Sequence, residues 1–467
     1  MEGLLADPTP VPQLEISGRL PRRLQGVLFR NGPAGFELGG HRAGHWFDGD
    51  GMVQRWGIDN GCVSHRAAFV RTNKFLAERD AGRPLYPGFA SVVENPRPAA
   101  RPDDLNVANI SVLPVGDELW ALWEAGSPWR LGAESLETLG MQRFDGRAGG
   151  LPFSAHPRLA PDGTIWNFGY ASAARRLFFW QLDRSGALKR VRFLNVPSTG
   201  LPHDFIVTER HLVLLLPPLD LDLDLDLDSN KTAQTFLDAH LWRPERPTRV
   251  LVVKLEDLQT HFWTELPAQW VFHFGNGWED ADGVIRFDAA SAPDPSAMFG
   301  AFRSIMAGEN AIPDSPDARP LRYRIDTRTR RAEQTVFGDK SVEFPVVDPR
   351  RSTRRHRWLT MLSSQASAPA PHGGLTSLTR FDLESGALTS YRYPDTELPE
   401  EHLFVPGPER SGESEGWVIG TSLDWSRRQT HLNVFQADAV GDGPIARATL
   451  DALMPQGLHG RWVEHAA

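Results

Sequence analysis

Cysteine is almost absent from this chain, since Cys62 is the only one in 467 residues. A single cysteine excludes an intrachain disulfide and a thiolate-based metal cluster, and it is typical of proteins of the reducing cytoplasm. Any bound metal must therefore be held by nitrogen or oxygen ligands.

Long apolar runs and an excess of positive charge are also missing. No stretch approaches the roughly 20 apolar residues that span a bilayer, and the first 24 residues lack the layout of a signal peptide. With 50 basic and 59 acidic residues interspersed, no basic face is visible that would bind nucleic acid. We expect a cytoplasmic protein with no nucleic-acid partner, and attachment to a membrane surface stays open.

Helical periodicity is scarce, while 42 glycines and 37 prolines interrupt the chain. Short segments rich in branched and aromatic residues recur between turn signals such as APDGT and DLESGA. They are found at 118 to 125, 163 to 170, 176 to 182, 249 to 255, 357 to 362 and 416 to 425. This pattern predicts one all-β domain over residues 1–467, and so many short strands favour a β-propeller, although no strict repeat is visible.

One loop interrupts this pattern from about 217 to 248 and contains a Leu-Asp repeat at 219–228. Alternation with the period of a strand would place leucines on one face and aspartates on the other. We interpret it as a solvated edge or loop in preference to a calcium site, and a lip beside an apolar substrate entrance is a third alternative.

Four of the 15 histidines stand out by their context. They are His156 in SAHPRL, His203 in LPHDFI, His273 in VFHFGNGWE and His459 in QGLHGRW. Their spacing is far too long for a finger-type zinc site, so they converge only if a closed fold brings distant strands to one axis. Imidazole suits iron, zinc and copper alike, so these residues do not name the metal.

Seven motifs, in order along nearly the whole chain, resemble the carotenoid cleavage oxygenase family. Besides AHP, HDF, HFGNGWE and GLHG they are GVLFRNGP at 26–33, HWFDGDGM at 45–52 and LWALWEAGSP at 119–128. The resemblance implies a seven-bladed β-propeller with loops forming a cap over one iron(II) ion. It also implies that His156, His203, His273 and His459 bind the iron and leave room for dioxygen as co-substrate.

The family also uses three glutamates to hold the metal-bound imidazoles. By motif these are Glu124 in LWEAG, Glu343 in VEFPVV and Glu401 in EEHLFVP, with the adjacent Glu400 as a competitor for the last position. Acceptors of this kind fix the ring orientation of a metal-binding histidine.

The resemblance implies cleavage of a carbon–carbon double bond by dioxygen to give two carbonyl products, without nicotinamide or flavin. Relatives that cleave stilbene-like phenols resemble one another in a lysine and a tyrosine, where this chain has Trp123 and Phe69. Ile110 stands where many members place threonine near the open metal position. We therefore predict a pocket containing Phe69, Ile110 and Trp123 for an apolar conjugated substrate, a carotenoid or apocarotenoid. A stilbene-cleaving oxygenase, a double-bond isomerase with the same iron site, and a catalytically silent binding scaffold are the alternatives.

Overall fold

The strands bury side chains on both faces, which explains why so many short strands can stack around a ring. In the strand His211–Leu216, Leu212 and Leu214 belong to one apolar cluster, whereas Val213 and Leu215 belong to the next. Successive side chains of a strand point to opposite faces. Each sheet therefore supplies one face to each of its two neighbours.

The computed structural model describes residues 6–222, 235–309, 317–364, 374–408 and 411–465. Within these ranges, seven antiparallel sheets of four or five strands follow one another along the chain, and we number them blades 1 to 7. Blade 1 contains Gly26–Ala34, Asp50–Asp59, Cys62–Phe69 and His459–Glu464. Blade 2 contains Ser111–Val115, Glu118–Leu122, Trp129–Gly132 and Thr138–Met141. Blade 3 contains Arg158–Leu159, Ile165–Ala171, Arg176–Leu182 and Leu188–Asn195.

The remaining four blades repeat this arrangement. Blade 4 contains Ile206–Val207, His211–Leu216, Thr248–Lys254 and His261–Leu266. Blade 5 contains Trp270–Glu279, Val284–Ala292, Arg319–Asp326 and Arg331–Val336. Blade 6 contains Ser341–Val346, Trp358–Ser364, Ser377–Asp382 and Leu388–Arg392. Blade 7 contains Glu397–Pro406, Gly416–Asp424, Gln429–Gln436, Pro444–Leu450 and the N-terminal strand Glu15–Gly18.

The two ends of the chain close the ring through backbone hydrogen bonds. The last strand, His459–Glu464, pairs with Gly26–Ala34 in blade 1, and the first strand, Glu15–Gly18, pairs with Pro444–Leu450 in blade 7. Seven apolar clusters among the described residues each lie between neighbouring blades. The predicted all-β, seven-bladed propeller is confirmed.

Two hairpins and several short helices project from the blades. The hairpins pair Glu37–Leu38 with His41–Arg42 and Leu219–Leu221 with His240–Trp242. The α-helices are Asn73–Ala81 and Phe302–Ala307, the latter preceded by a π-helical turn at Ala297–Ala301. Short 3-10 turns occupy Trp46–Asp48, Pro102–Asp104, Gly146–Ala148, Pro349–Arg351 and Ala437–Asp442. No helix in the described ranges is long and apolar enough to cross a bilayer. Most of the Leu-Asp repeat, from residue 223 onward, lies outside the described residues.

Irregular pairing marks the first strands of blades 5, 6 and 7. The register shifts around His273, between Glu343 and Val346, and between Pro399 and His402. Such bulges re-aim side chains and occur often beside active sites. In blade 6 the bulge includes Phe344, whose φ of 56° lies in the left-handed region that bulky residues rarely adopt.

Candidate metal centre and substrate cavity

Four histidines meet at the inner ends of four different blades. His156 and His203 precede the first strands of blades 3 and 4, His273 lies within the first strand of blade 5, and His459 begins the strand that closes blade 1. One ring nitrogen from each lies within 4.8 Å of the other three. The structure thus brings together all four residues that the sequence selected.

Glutamates from three further positions contact the Nδ1 atoms of three of these rings. Glu343 Oε2 lies 2.5 Å from His273 Nδ1, and Glu401 Oε1 lies 3.0 Å from His459 Nδ1. Glu124 Oε1 makes a short contact with His203 Nδ1. A carboxylate acceptor places the proton of a neutral imidazole on Nδ1, so Nε2 presents a lone pair.

The Nε2 atoms are arranged as a cation requires. His156 Nε2 and His203 Nε2 lie 3.0 Å apart, and His273 Nε2 is buried without a hydrogen-bond partner. Two nitrogens bound at about 2.1 Å and at a right angle to one ion would be about 3.0 Å apart. The residues therefore fit a metal ion held by four imidazoles.

Burial favours the uncharged form of two of the four rings. Burial, helped by the neighbouring histidines, holds the pKa of His156 well below its usual value and lowers that of His459 to about 4. Burial also acts to lower the pKa of His273, but the carboxylates of Glu343, Asp204 and Glu401 together outweigh it, so this pKa is raised. A metal ion consequently competes with a proton at His273, because only the neutral ring is a ligand.

The two adjacent acids, Glu400 and Glu401, have separate roles. Glu401 contacts His459 and accepts a hydrogen bond from the Gly460 N–H at 2.7 Å. Burial opposes its ionisation, but His459 and Arg30 together lower the pKa of Glu401 to about 2. Glu400 instead lies 3.7 Å from Arg30 and accepts a hydrogen bond from Thr421 at 2.5 Å. Of the two acids, Glu401 is therefore the one that contacts a histidine of the centre.

A cavity of about 1410 Å³ opens onto three of the histidines, His203, His273 and His459. Its wall includes residues of both described helices, the loops around 84–102 and the hairpin residue Leu221. Aromatic rings surround the centre itself: Phe272 lies 5.2 Å from the His203 ring, and Phe344 lies 5.2 Å from the His273 ring. The cavity is larger than the roughly 300–1000 Å³ of ordinary ligand pockets.

The three residues expected in the pocket do not all lie there. Ile110 and Trp123 line the cavity, whereas Phe69 is not among its lining residues. Phe69 ends the outer strand of blade 1 and is 2% exposed, with its ring stacked on Phe75 at 5.3 Å. It belongs to the apolar cluster between blades 7 and 1. Phe69 therefore does not line this cavity, in contrast to the expectation, because its side chain faces the core between the two blades.

Three residues of the site were missed by the sequence analysis. Phe272 and Phe344 each flank a chosen residue in the sequence, so their proximity could have been inferred. Tyr170 donates a hydrogen bond to Glu124 Oε2 at 3.0 Å. It lies in blade 3, 46 positions beyond Glu124, and no local pattern signals that contact.

A second group with metal-binding side chains lies in blade 7 and is explained by its own hydrogen bonds. It contains Glu397, Asp424 and His431. Arg447 donates to Glu397 at 2.9 Å, and the backbone N–H of Ser426 donates to Asp424 at 3.0 Å. With a guanidinium already neutralising this group, we interpret it as a hydrogen-bonded network within the blade.

A sequence profile described as retinal pigment epithelial membrane protein matches residues 5–464. Apocarotenoid-15,15'-oxygenase of Synechocystis sp. is 30% identical over 96% of this chain and 92% of its own. The chain belongs to the carotenoid oxygenase family. As a member of that family it is an oxygenase with a four-histidine metal site.

Other members differ in their substrates. Resveratrol cleavage oxygenase 1 of Aspergillus fumigatus is 26% identical over 97% of this chain and 92% of its own. The crystal structure of cobalt-substituted apocarotenoid oxygenase from Synechocystis superposes on this structure with a TM-score of 0.87 and 27% sequence identity. The match covers 99% of this chain and 97% of that one. Family membership alone therefore does not choose the substrate.

Proposed function

We propose that the protein is a non-haem iron(II) oxygenase that cleaves one carbon–carbon double bond of a carotenoid or apocarotenoid. The observation that carries the proposal is the convergence of four imidazole nitrogens within 4.8 Å at the wall of a cavity of about 1410 Å³. One dioxygen and one double bond give two carbonyl products, so both oxygen atoms are consumed and no electron donor is needed.

Iron(II) held by the four histidines would supply the electron density that allows triplet dioxygen to react with a closed-shell alkene. The protein residues position and shield the reactants. Glu124, Glu343 and Glu401 hold three imidazoles in fixed orientations and bring negative charge close to the cation. Phe272 and Phe344 pack beside these rings and exclude water from the reacting bond.

Apolar groups at the cavity wall favour a polyene over a hydroxylated stilbene. Trp123 and Ile110 offer no hydrogen bond to a phenol from their side chains, apart from the single indole N–H. Lys74 also lines the cavity, but its ammonium lies 2.7 Å from Glu78 and 3.6 Å from Asp50. That ammonium is already paired, so ionising a substrate hydroxyl there would compete with two carboxylates.

A substrate panel tests this function directly. The protein reconstituted with iron(II) is incubated with a carotenoid, an apocarotenal, resveratrol and isoeugenol, and the products are analysed by mass spectrometry. We expect two carbonyl fragments from a polyene. Conversion without a change of mass would identify an isomerase, and cleavage restricted to the phenols would replace the carotenoid assignment by the stilbene alternative.

We also propose a cytoplasmic protein that takes its substrate from a lipid surface. Support comes from the free Cys62 and from Val92 and Phe236, which line the cavity although 57% and 43% of their surfaces are exposed. Flotation with neutral phosphatidylcholine vesicles should carry the wild type upward more than a Val92→Ser/Phe236→Ser variant. Equal flotation of the two proteins would argue against this entrance surface.

A further inference from the structure

Each of the three glutamates at the centre is itself held by a second hydrogen-bond donor. The Gly460 N–H donates to Glu401 at 2.7 Å, and the Phe344 N–H donates to Glu343 at 2.7 Å. For Glu124 the donor is the Tyr170 hydroxyl at 3.0 Å. Two of the three anchors are backbone groups, and only the third is a side chain.

The Tyr170 hydroxyl is well suited to donate this hydrogen bond. The ring is 7% exposed, lines the cavity and packs against Phe168 in the cluster between blades 3 and 4. Burial, with the nearby Glu124 carboxylate, raises the pKa of Tyr170 well above 10. The phenol therefore keeps its proton, and its one donor points to Glu124 Oε2.

The two oxygens of Glu124 consequently connect two different blades. Oε1 contacts His203, which precedes blade 4, while Oε2 accepts from Tyr170 in blade 3. A carboxylate held at one oxygen alone can rotate about its last side-chain bond, whereas two contacts fix its plane. The orientation of the His203 imidazole thus depends on the Tyr170 hydroxyl.

We propose that Tyr170 is a positioning residue for the metal centre, acting through Glu124 to hold His203 and thereby tightening metal binding. The inference rests on the proposed role of His203 as an iron ligand. It also follows that the Tyr170 O–H, although at the cavity wall, is committed to Glu124 and does not donate a hydrogen bond to the substrate.

Tyr170→Phe removes one oxygen and leaves the ring packing, so it isolates the hydrogen bond. Affinities for Fe²⁺ and Co²⁺ are measured by competition with a chelator in the full-length protein. We expect the dissociation constants to rise about 3- to 10-fold, less than the roughly 10- to 100-fold typical when a supporting residue of a metal ligand is lost outright. The visible spectrum of the Co²⁺ form should also shift, because the His203 ring is less constrained.

Tyr323→Phe is the matched control, since Tyr323 in blade 5 is also buried and its hydroxyl donates to Gln269 at 2.6 Å. This variant should keep wild-type metal affinity and spectrum. A second test places Tyr170→Phe in a Glu124→Gln background. If the hydroxyl acts through the carboxylate, the two changes are not additive, and Tyr170→Phe should add less than twofold there.

Unchanged metal affinity and spectrum in Tyr170→Phe would overturn the inference. So would a loss of affinity that is as large in the Glu124→Gln background as in the wild type, because the substitution would then act through packing and not through the carboxylate. These outcomes are distinct from failure of the proposed function. If the wild-type protein binds neither metal, the four-histidine iron site itself is wrong. If the wild type binds both and Tyr170→Phe binds them equally well, only the role of Tyr170 is lost.

Discussion

The contact between Glu343 and His273 allows one prediction to be worked out in magnitude. Glu343→Gln retains a carbonyl oxygen that can accept from His273 Nδ1, at the site of the present 2.5 Å contact, but it removes the charge. A hydrogen bond to a charged group contributes about 1.5–3 kcal/mol and a neutral one about 0.5–1.5 kcal/mol. The difference of about 1–1.5 kcal/mol corresponds to a roughly 5- to 12-fold rise in the iron dissociation constant.

Isothermal titration with Fe²⁺ under anaerobic conditions measures this change. Glu343→Ala removes the acceptor as well and should weaken binding by roughly 10- to 100-fold. Glu384→Gln, a substitution at a half-exposed acid of the same blade, serves as the control and should bind iron as the wild type does. Wild-type affinity in Glu343→Gln, or the same small loss in both Gln variants, would refute the reasoning.

Three further predictions concern the substrate, the pH and the core. Neither Trp123 nor Ile110 accepts a hydrogen bond from a phenol O–H, which leaves that donor unpaired at a cost of about 1–3 kcal/mol. We therefore expect kcat/KM for resveratrol to be roughly 5- to 150-fold below that for an apocarotenal, and equal or better stilbene cleavage would contradict this. Burial lowers the pKa of His65 to about 4, so on acidification this histidine is protonated in the unfolded chain before it is protonated in the folded protein. The free energy of unfolding should therefore fall by about 1.4 kcal/mol per pH unit from this residue as the pH drops from about 6.5 to 4. The free energy of unfolding of the metal-free protein, measured with urea at several pH values, should fall less steeply with decreasing pH in His65→Asn than in the wild type. The exposed His41→Asn variant should show the wild-type pH dependence. Leu214 is fully buried between blades, so Leu214→Ala should lower the free energy of unfolding by about 2–5 kcal/mol. Leu388→Ala, at a half-exposed position, should lower it much less, and equal losses would contradict the assigned core.

The sequence was sufficient for the residues whose position follows from strand order. His156, His203, His273 and His459 each lie at or beside the first strand of a blade or the strand that closes the ring. Any closed ring of sheets brings such strands together at its axis. The resemblance of seven motifs to the carotenoid cleavage oxygenase family supplied the seven blades and the four histidine ligands, and the closed ring explains why these residues converge.

The direction in which each side chain of a strand faces, and the contacts between residues of different blades, could not be predicted in the same way. The choice between Glu400 and Glu401 depends on the irregular pairing between Pro399 and His402, since neighbouring side chains of a strand face opposite ways. Phe69 was expected in the pocket because it stands where stilbene-cleaving relatives have a tyrosine, and such a match does not fix which way the side chain faces. Tyr170 meets Glu124 only after blades 2 and 3 have packed together.

The iron content of the protein tests the central claim most directly. Wild-type protein and the four single variants His156→Ala, His203→Ala, His273→Ala and His459→Ala are loaded anaerobically with Fe²⁺, desalted and analysed for metal. We predict about one iron per wild-type chain and almost none in each variant, because every one of the four rings contributes to the cluster of nitrogens within 4.8 Å. Full iron retention in any variant would remove that histidine from the site, and wild-type protein that rejects iron would contradict the account as a whole.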